Sequence, residues 1–124
     1  MPEKISDPIP VQIATLVIIH AGNARKFVNQ ALIHANNYEF DDAKEKLEKA
    51  RKEVASAHHT QTELIHAEAR GESTQNSLLL THAQDTLMIA MSEIQMAKHL
   101  LKIYDKLFKL TERKNKTDKD KILT

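Results

Sequence analysis

Histidine is the residue type that offers this sequence the widest choice of chemistry, and the chain contains seven histidines. A neutral imidazole is a nucleophile, a proton carrier and a metal ligand near neutral pH. His82 is set apart by Asp85, because residues three positions apart lie on one face of a helix. His58 and His59 form too short a signal to define a ligand set, and the remaining histidines show no partner pattern. His82 and Asp85 are therefore the first candidates for a functional site.

The composition removes several classes of site. The chain has no cysteine, which excludes disulfides, thiolate zinc sites and cysteine nucleophiles. Any metal ion must therefore be held by histidine, carboxylates or water. The 18 basic residues offset 17 acidic ones to a formal net charge of +1, so there is no global basic field to bind nucleic acid or an anionic membrane.

Neither a membrane span nor a signal peptide is predicted. The longest purely apolar stretches, residues 16–19 and 87–91, are far shorter than the run of about 20 residues that crosses a bilayer. The first ten residues carry acidic residues and prolines where a signal peptide has a basic segment followed by an apolar one. We therefore expect a cytoplasmic protein with a flexible leader over residues 1–10.

Helices must position these side chains. All three prolines lie in the leader and the chain has only two glycines, so helix breakers are almost absent after residue 10. Apolar spacings of three and four predict helix I over about 11–35, helix II from about 40 to 71, and helix III from a polar segment at 73–77 to Leu110. The tail 111–124 loses this periodicity and is predicted to be charged and disordered. The sequence thus indicates an all-α, antiparallel three-helix bundle formed by residues 11–110.

Helix III carries two apolar stripes rather than one. The first can close a three-helix core and comprises Leu80, Ala83, Leu87, Ala90, Ile94, Ala97, Leu101, Tyr104 and Phe108. The second, which we call the axial stripe, comprises Leu78, His82, Asp85, Ile89, Ser92, Met96, His99 and Ile103. A single bundle cannot bury both stripes, so we expect a closed homo-oligomer with helix III at its symmetry axis.

The axial stripe leaves two interpretations of His82 and Asp85. They can pair with one another at a wet edge of the bundle, which is the interpretation that spacing alone favours. Alternatively, copies of Asp85 converge at the axis and bind a shared divalent cation, because like charges held close together either take up protons or bind a cation.

Several segments resemble the lactose/cellobiose-specific enzyme IIA family of the bacterial sugar phosphotransferase system (PTS). Residues 81–88, Thr-His-Ala-Gln-Asp-Thr-Leu-Met, are similar to the family signature. Residues 21–25, Ala-Gly-Asn-Ala-Arg, are similar to the alanine-glycine-x-alanine-arginine segment of the family's first helix. Residues 57–64, followed by Glu68-Ala69 and Gly71, resemble its middle helix and turn. The similarity spans roughly residues 11–108.

The resemblance implies a homotrimeric phosphotransferase component that relays phosphate. The family's phosphorylated histidine carries over to His82, which would accept a phosphoryl group from phospho-HPr and pass it to a cysteine of the cognate IIB protein. The family's buried aspartate carries over to Asp85, where three copies near the axis would hold a divalent metal ion, expected to be Mg²⁺. The implied role lies in the uptake of lactose-, cellobiose- or chitobiose-type β-glucosides, with membrane contact only indirectly, through the IIC permease.

Two positions and two other functions stay open. Thr86 stands where the family often has a second histidine, and Gln84 could either orient the phosphate or serve as a polar interface residue. A non-catalytic helical adaptor would use the axial stripe to bind a partner helix, with His82 and Asp85 incidental. A metal-binding oligomeric bundle is the other alternative.

Overall fold

The described residues form three α-helices, as the sequence predicts. In the computed structural model, which describes residues 9–71 and 78–123, α1 spans Ile9–Asn36, α2 spans Phe40–Ala69 and α3 spans Leu78–Leu123. No strand occurs in either described range. The all-α prediction is therefore confirmed.

Two predicted boundaries shift or fall outside the structure. Helix α1 begins at Ile9, inside the predicted leader, and Pro10 in its first turn is compatible with a helix start because no intrahelical donor is lost there. The rest of the leader, residues 1–8, and the polar segment 73–77 lie outside the described residues.

The core packs in two clusters that fix the direction of each helix. One cluster joins the first half of α1 to the second half of α2 and the first half of α3, through residues such as Val17, Leu64 and Leu87. The other joins the second half of α1 to the first half of α2 and the middle of α3, through residues such as Val28 and Leu47. Helices α1 and α3 therefore run in one direction and α2 runs in the other.

Seven positions of the first stripe of α3 are the buried residues of that helix: Leu80, Ala83, Leu87, Ala90, Ile94, Ala97 and Leu101. Many core positions on α1 and α2 are alanines with no exposed surface, among them Ala21 and Ala50. Small side chains at these positions allow the helix axes to lie close together. The first stripe thus identified the buried face of α3, and its last two members, Tyr104 and Phe108, are half-buried.

A tight turn joins α1 to α2 at residues 37–39. Tyr38 occupies the left-handed region with φ of 60°, which is uncommon for a residue other than glycine. The backbone N–H of Glu39 donates to the carbonyl of His34 at 2.9 Å, and the N–H of Ala43 donates to the carbonyl of Glu39 at 3.0 Å. Gly71, with φ of 84°, follows the end of α2, as expected of a glycine after a helix C-terminus.

The prediction of a disordered tail was wrong, because α3 continues to Leu123. Its last residues are solvent-exposed but helical. The segment contains lysine, glutamate and arginine, which favour helix, and it extends a helix that is already nucleated. Phe108 anchors the point where α3 leaves the bundle, with its ring 5.1 Å from that of Tyr38 and 5.9 Å from that of Phe40. An ion pair of 2.8 Å between Lys109 Nζ and Asp105 Oδ2 supports the same turn.

Candidate functional site

His82 and Asp85 lie in the first two turns of α3, on its solvent-exposed side. Three residues correspond to about 60° around a helix, so the two side chains share one face. Ala83 between them is buried in the core, which fixes the rotation of α3 at this level. The packing of the first stripe therefore directs both candidate residues outward.

Neither side chain has a polar partner in the part of the chain that the structure describes: no hydrogen bond or ion pair involves the imidazole of His82 or the carboxylate of Asp85. The local interpretation, in which the two residues pair with each other, thus gains no support. Thr86 donates its Oγ1 hydrogen to the carbonyl of His82 at 2.8 Å, which binds it to the helix backbone. The imidazole of His82 is exposed to solvent in the single chain.

Gln84 does not share this face. Residues two positions apart lie about 200° apart around a helix, so the Gln84 side chain points away from His82 of the same chain. It is exposed, as are His82 and Asp85. Within one chain, Gln84 is therefore not placed beside a group on His82.

The whole axial stripe is exposed in the single chain. Its apolar members retain large accessible fractions, 86% for Leu78, 46% for Ile89, 60% for Met96 and 52% for Ile103. Met88 beside the stripe is 65% exposed. Several large apolar side chains exposed along one helix face are typical of an interaction surface, so the candidate site lies on a face that the single chain does not cover by itself.

The histidines at 58 and 59 are not brought to His82. Both are exposed on α2, and His59 Nε2 lies 3.5 Å from Glu63 Oε1 on the same helix. No hydrogen bond or ion pair links either of them to His82 within the described ranges. Within one chain, the structure therefore does not bring His58 or His59 to the candidate site.

The sequence did not predict a hydrogen-bonded ion pair that joins α1 to α3. Arg25, in the segment that resembles the family's first helix, donates from Nε to both carboxylate oxygens of Glu93, at 3.1 and 3.2 Å, and its Nη2 lies 2.9 Å from Oε1. The hydrogen bond to Glu93 and the charge of Glu93 raise the pKa of Arg25 above its ordinary value. No local signal could have found this pair, because the two residues are 68 positions apart.

A second cluster with metal-ligand chemistry lies at the α1–α2 turn. One ligand atom from each of His34, Glu39 and Asp42 lies within 4.8 Å of the others. His34 Nδ1 already bonds to Glu39 Oε1 at 3.1 Å, and acidic residues at the start of α2 interact favourably with the helix dipole. The cluster is therefore explained without a metal ion.

None of the described helices has a stretch that is both long and apolar enough to span a lipid bilayer.

Comparison with known proteins agrees with the motifs and the fold. Residues 12–105 match the family described as the PTS system, lactose/cellobiose-specific IIA subunit. The lichenan-specific phosphotransferase enzyme IIA component of Bacillus subtilis is 43% identical over 96 residues, which cover 77% of this chain and 87% of that protein. The lactose-specific EIIA component of Staphylococcus epidermidis is 38% identical over 90 residues, covering 73% and 86%.

Solved structures give the same result. The cellobiose-specific enzyme IIA of Bacillus anthracis superimposes with a TM-score of 0.75 at 45% identity, covering 77% of this chain and 88% of that one. The chitobiose IIA of Escherichia coli, solved in complex with HPr, superimposes with a TM-score of 0.70 at 30% identity, covering 82% and 98%. On the family match, these relatives and the three-helix fold, the chain belongs to the lactose/cellobiose-specific IIA family and is a component of the sugar phosphotransferase system.

Proposed function

We propose that this protein is a phosphoryl carrier that accepts phosphate from phospho-HPr on His82 and passes it to a cysteine of the cognate IIB protein. The observation that carries the proposal is the exposed imidazole of His82, which has no polar partner in the described residues, within the helix that resembles the family signature. The transport served would be that of lactose-, cellobiose- or chitobiose-type β-glucosides.

The transfer consists of two in-line displacements. A lone pair on an imidazole nitrogen of His82 forms a bond to phosphorus while the bond from phosphorus to the donor breaks. In the second step the thiolate of the acceptor attacks phosphorus, and the bond to His82 breaks. Because this chain has no cysteine, the acceptor must belong to another protein. The protein's own contribution is mainly to position the imidazole.

The choice of donor is supported by a related protein. The chitobiose IIA of Escherichia coli has been solved in complex with HPr, and this chain covers 98% of that IIA protein. An exposed His82 on a convex helix face is open to such a carrier protein. We therefore assign the same class of donor to this chain.

The proposal includes a homotrimer with α3 near the axis. The apolar members of the axial stripe are exposed, and a closed assembly would bury those side chains against copies of themselves. In such an assembly Gln84 of a neighbouring copy becomes a candidate to orient the phosphate, because it points away from His82 of its own chain.

Asp85 fits a shared divalent metal ion in this trimer. Its exposed carboxylate has no ion pair within the described ranges, and carboxylate oxygens are ligands that Mg²⁺ prefers. One chain supplies a single carboxylate here, so the ligand set would be complete only when three copies meet. Bound at the axis, Mg²⁺ would offset the repulsion among three negative charges.

Phosphorylation with the upstream relay tests the proposal. The protein is incubated with phosphoenolpyruvate, enzyme I and HPr, and its intact mass is measured. We expect one added phosphoryl group per chain, no addition to His82→Ala, and normal addition to His99→Ala, a matched control because His99 is exposed on the same stripe. The adduct should be lost in acid and survive in base, as a phosphorus–nitrogen bond does.

Phosphorylation that persists in His82→Ala would contradict the assignment of His82. Failure of the wild-type chain to accept phosphate would instead favour the helical adaptor, which needs the axial stripe but no reactive imidazole.

A further inference from the structure

Gly22 lies near the middle of α1, where glycine is the least favourable residue for helix formation after proline. It is exposed, and a Cβ atom built on it would meet nothing within 4 Å. No neighbour in the described part of the chain therefore requires the missing side chain. A helical glycine without an internal reason indicates close approach by a group from outside the chain.

A groove between α1 and α3 opens one turn further along this face. Its volume is about 540 Å³, and it is lined by Arg25, Asn29, Leu32, Met96, Ala97 and Leu100, among others. Residues 22, 25, 26 and 29 share one face of α1, so Gly22 lies on the face that borders the groove, about one turn before its lining residue Arg25. The ion pair between Arg25 and Glu93 joins its two walls, which fixes their separation and neutralises both charges. The groove is thus fixed in width and largely apolar.

Met88 lies on the side of α3 that faces away from this groove. Met88 and Glu93 are five residues apart, which places them about 140° apart around the helix, on opposite sides of the axial stripe. The bonds between Arg25 and Glu93 bring those two positions to one level along the bundle axis. Because α1 and α3 run in one direction, Gly22, three residues before Arg25, lies within about one helical turn of the level of Met88, five residues before Glu93. Met88 is 65% exposed, and its long, unbranched side chain adapts to irregular grooves.

We infer that the face of α1 around Gly22 receives the Met88 flank of α3 from a second copy of this chain. The inference rests on the trimer of the proposed function and specifies how neighbouring copies contact each other. In a closed ring each copy presents one flank of α3 to one neighbour and the opposite flank to the other. Rotation about a symmetry axis parallel to α3 leaves the position of each residue along that axis unchanged, so Met88 of one copy meets Gly22 of the next. The absence of a side chain at position 22 provides the space for that thioether.

Replacing Gly22 by leucine tests the contact without damaging the single chain. Leucine favours helix more than glycine does, and its Cβ has free space within the chain. We expect Gly22→Leu to weaken trimer association at least about tenfold in sedimentation equilibrium, because an overfilled interface is strained. Helix content by circular dichroism should be unchanged. Asn23→Leu is the matched control, since Asn23 is exposed on α1 but about 100° from Gly22.

A compensating variant separates this contact from general disturbance of the surface. Gly22→Leu combined with Met88→Ala should restore association to within a few-fold of wild type, because the volume added on one side is removed on the other. A Gly22→Leu protein that remains as tightly trimeric as wild type would overturn the inference, as would loss of the trimer in Asn23→Leu or no rescue by Met88→Ala. A wild-type chain that is monomeric would overturn the proposed trimer itself, so the two failures are distinguishable.

Discussion

Leu87 connects the candidate site to the core, and its replacement by alanine tests the packing of α3. The side chain is only 2% exposed and belongs to the core cluster that joins all three helices, one turn beyond His82. Leu87→Ala deletes three carbon atoms, a loss of about 2.4 kcal/mol in transfer free energy at about 0.8 kcal/mol for each methylene-sized group. The cavity left behind adds to this, so we expect the free energy of unfolding to fall by about 3 kcal/mol, within the usual range of about 2–5 kcal/mol.

The assay is urea unfolding followed by circular dichroism, with wild type and variant at one protein concentration because association changes apparent stability. Ile65→Ala is a matched control, since it deletes the same number of carbon atoms from a residue on α2 that is 54% exposed. The control should lose about 1 kcal/mol or less. A loss below about 1 kcal/mol for Leu87→Ala, or equal losses in both variants, would refute the packing of the first stripe against α1 and α2.

Two further predictions concern α3. Removal of residues 111–124 should lower the helical circular dichroism signal, because residues 111–123 are helical. The free energy of unfolding should stay nearly unchanged, because the removed segment is exposed. An unchanged helical signal would contradict the long helix. Asp85→Leu should abolish the Mg²⁺ binding that calorimetry measures. It should leave the trimer intact or strengthen it, because an apolar residue can replace converging charges favourably. Mg²⁺ binding equal to that of wild type would exclude Asp85 as the ligand.

The sequence by itself determined the three helices, the residues of the core and the family. These follow from local properties: apolar residues repeat every three or four positions, and apart from Gly22 in α1 the helix-breaking residues lie in the leader and after α2. The seven buried residues of α3 all come from the stripe that the spacing identified. The separation of His82 and Asp85 likewise placed them on one helix face, and the structure shows that both are exposed in the single chain.

The same reasoning failed for the tail, because it treated the loss of apolar periodicity as the loss of helix. Periodicity reports whether a helix face is buried, whereas residues 111–123 are helical without being buried. Their helix propensity and their attachment to α3 are sufficient, since the unfavourable nucleation step has already been completed in the bundle.

Only the tertiary structure decided how distant segments meet. The bond between His20 and Glu53, at 2.6 Å, joins residues 33 positions apart, and the pair of Arg25 and Glu93 joins residues 68 positions apart. The groove beside Gly22 depends on the same packing of α1 against α3. Periodicity fixes which face of a helix is apolar, but it carries no information about which residues of two helices lie at the same height. That height is set by the interlocking of side chains across the core, and such contacts exist only once the helices have packed.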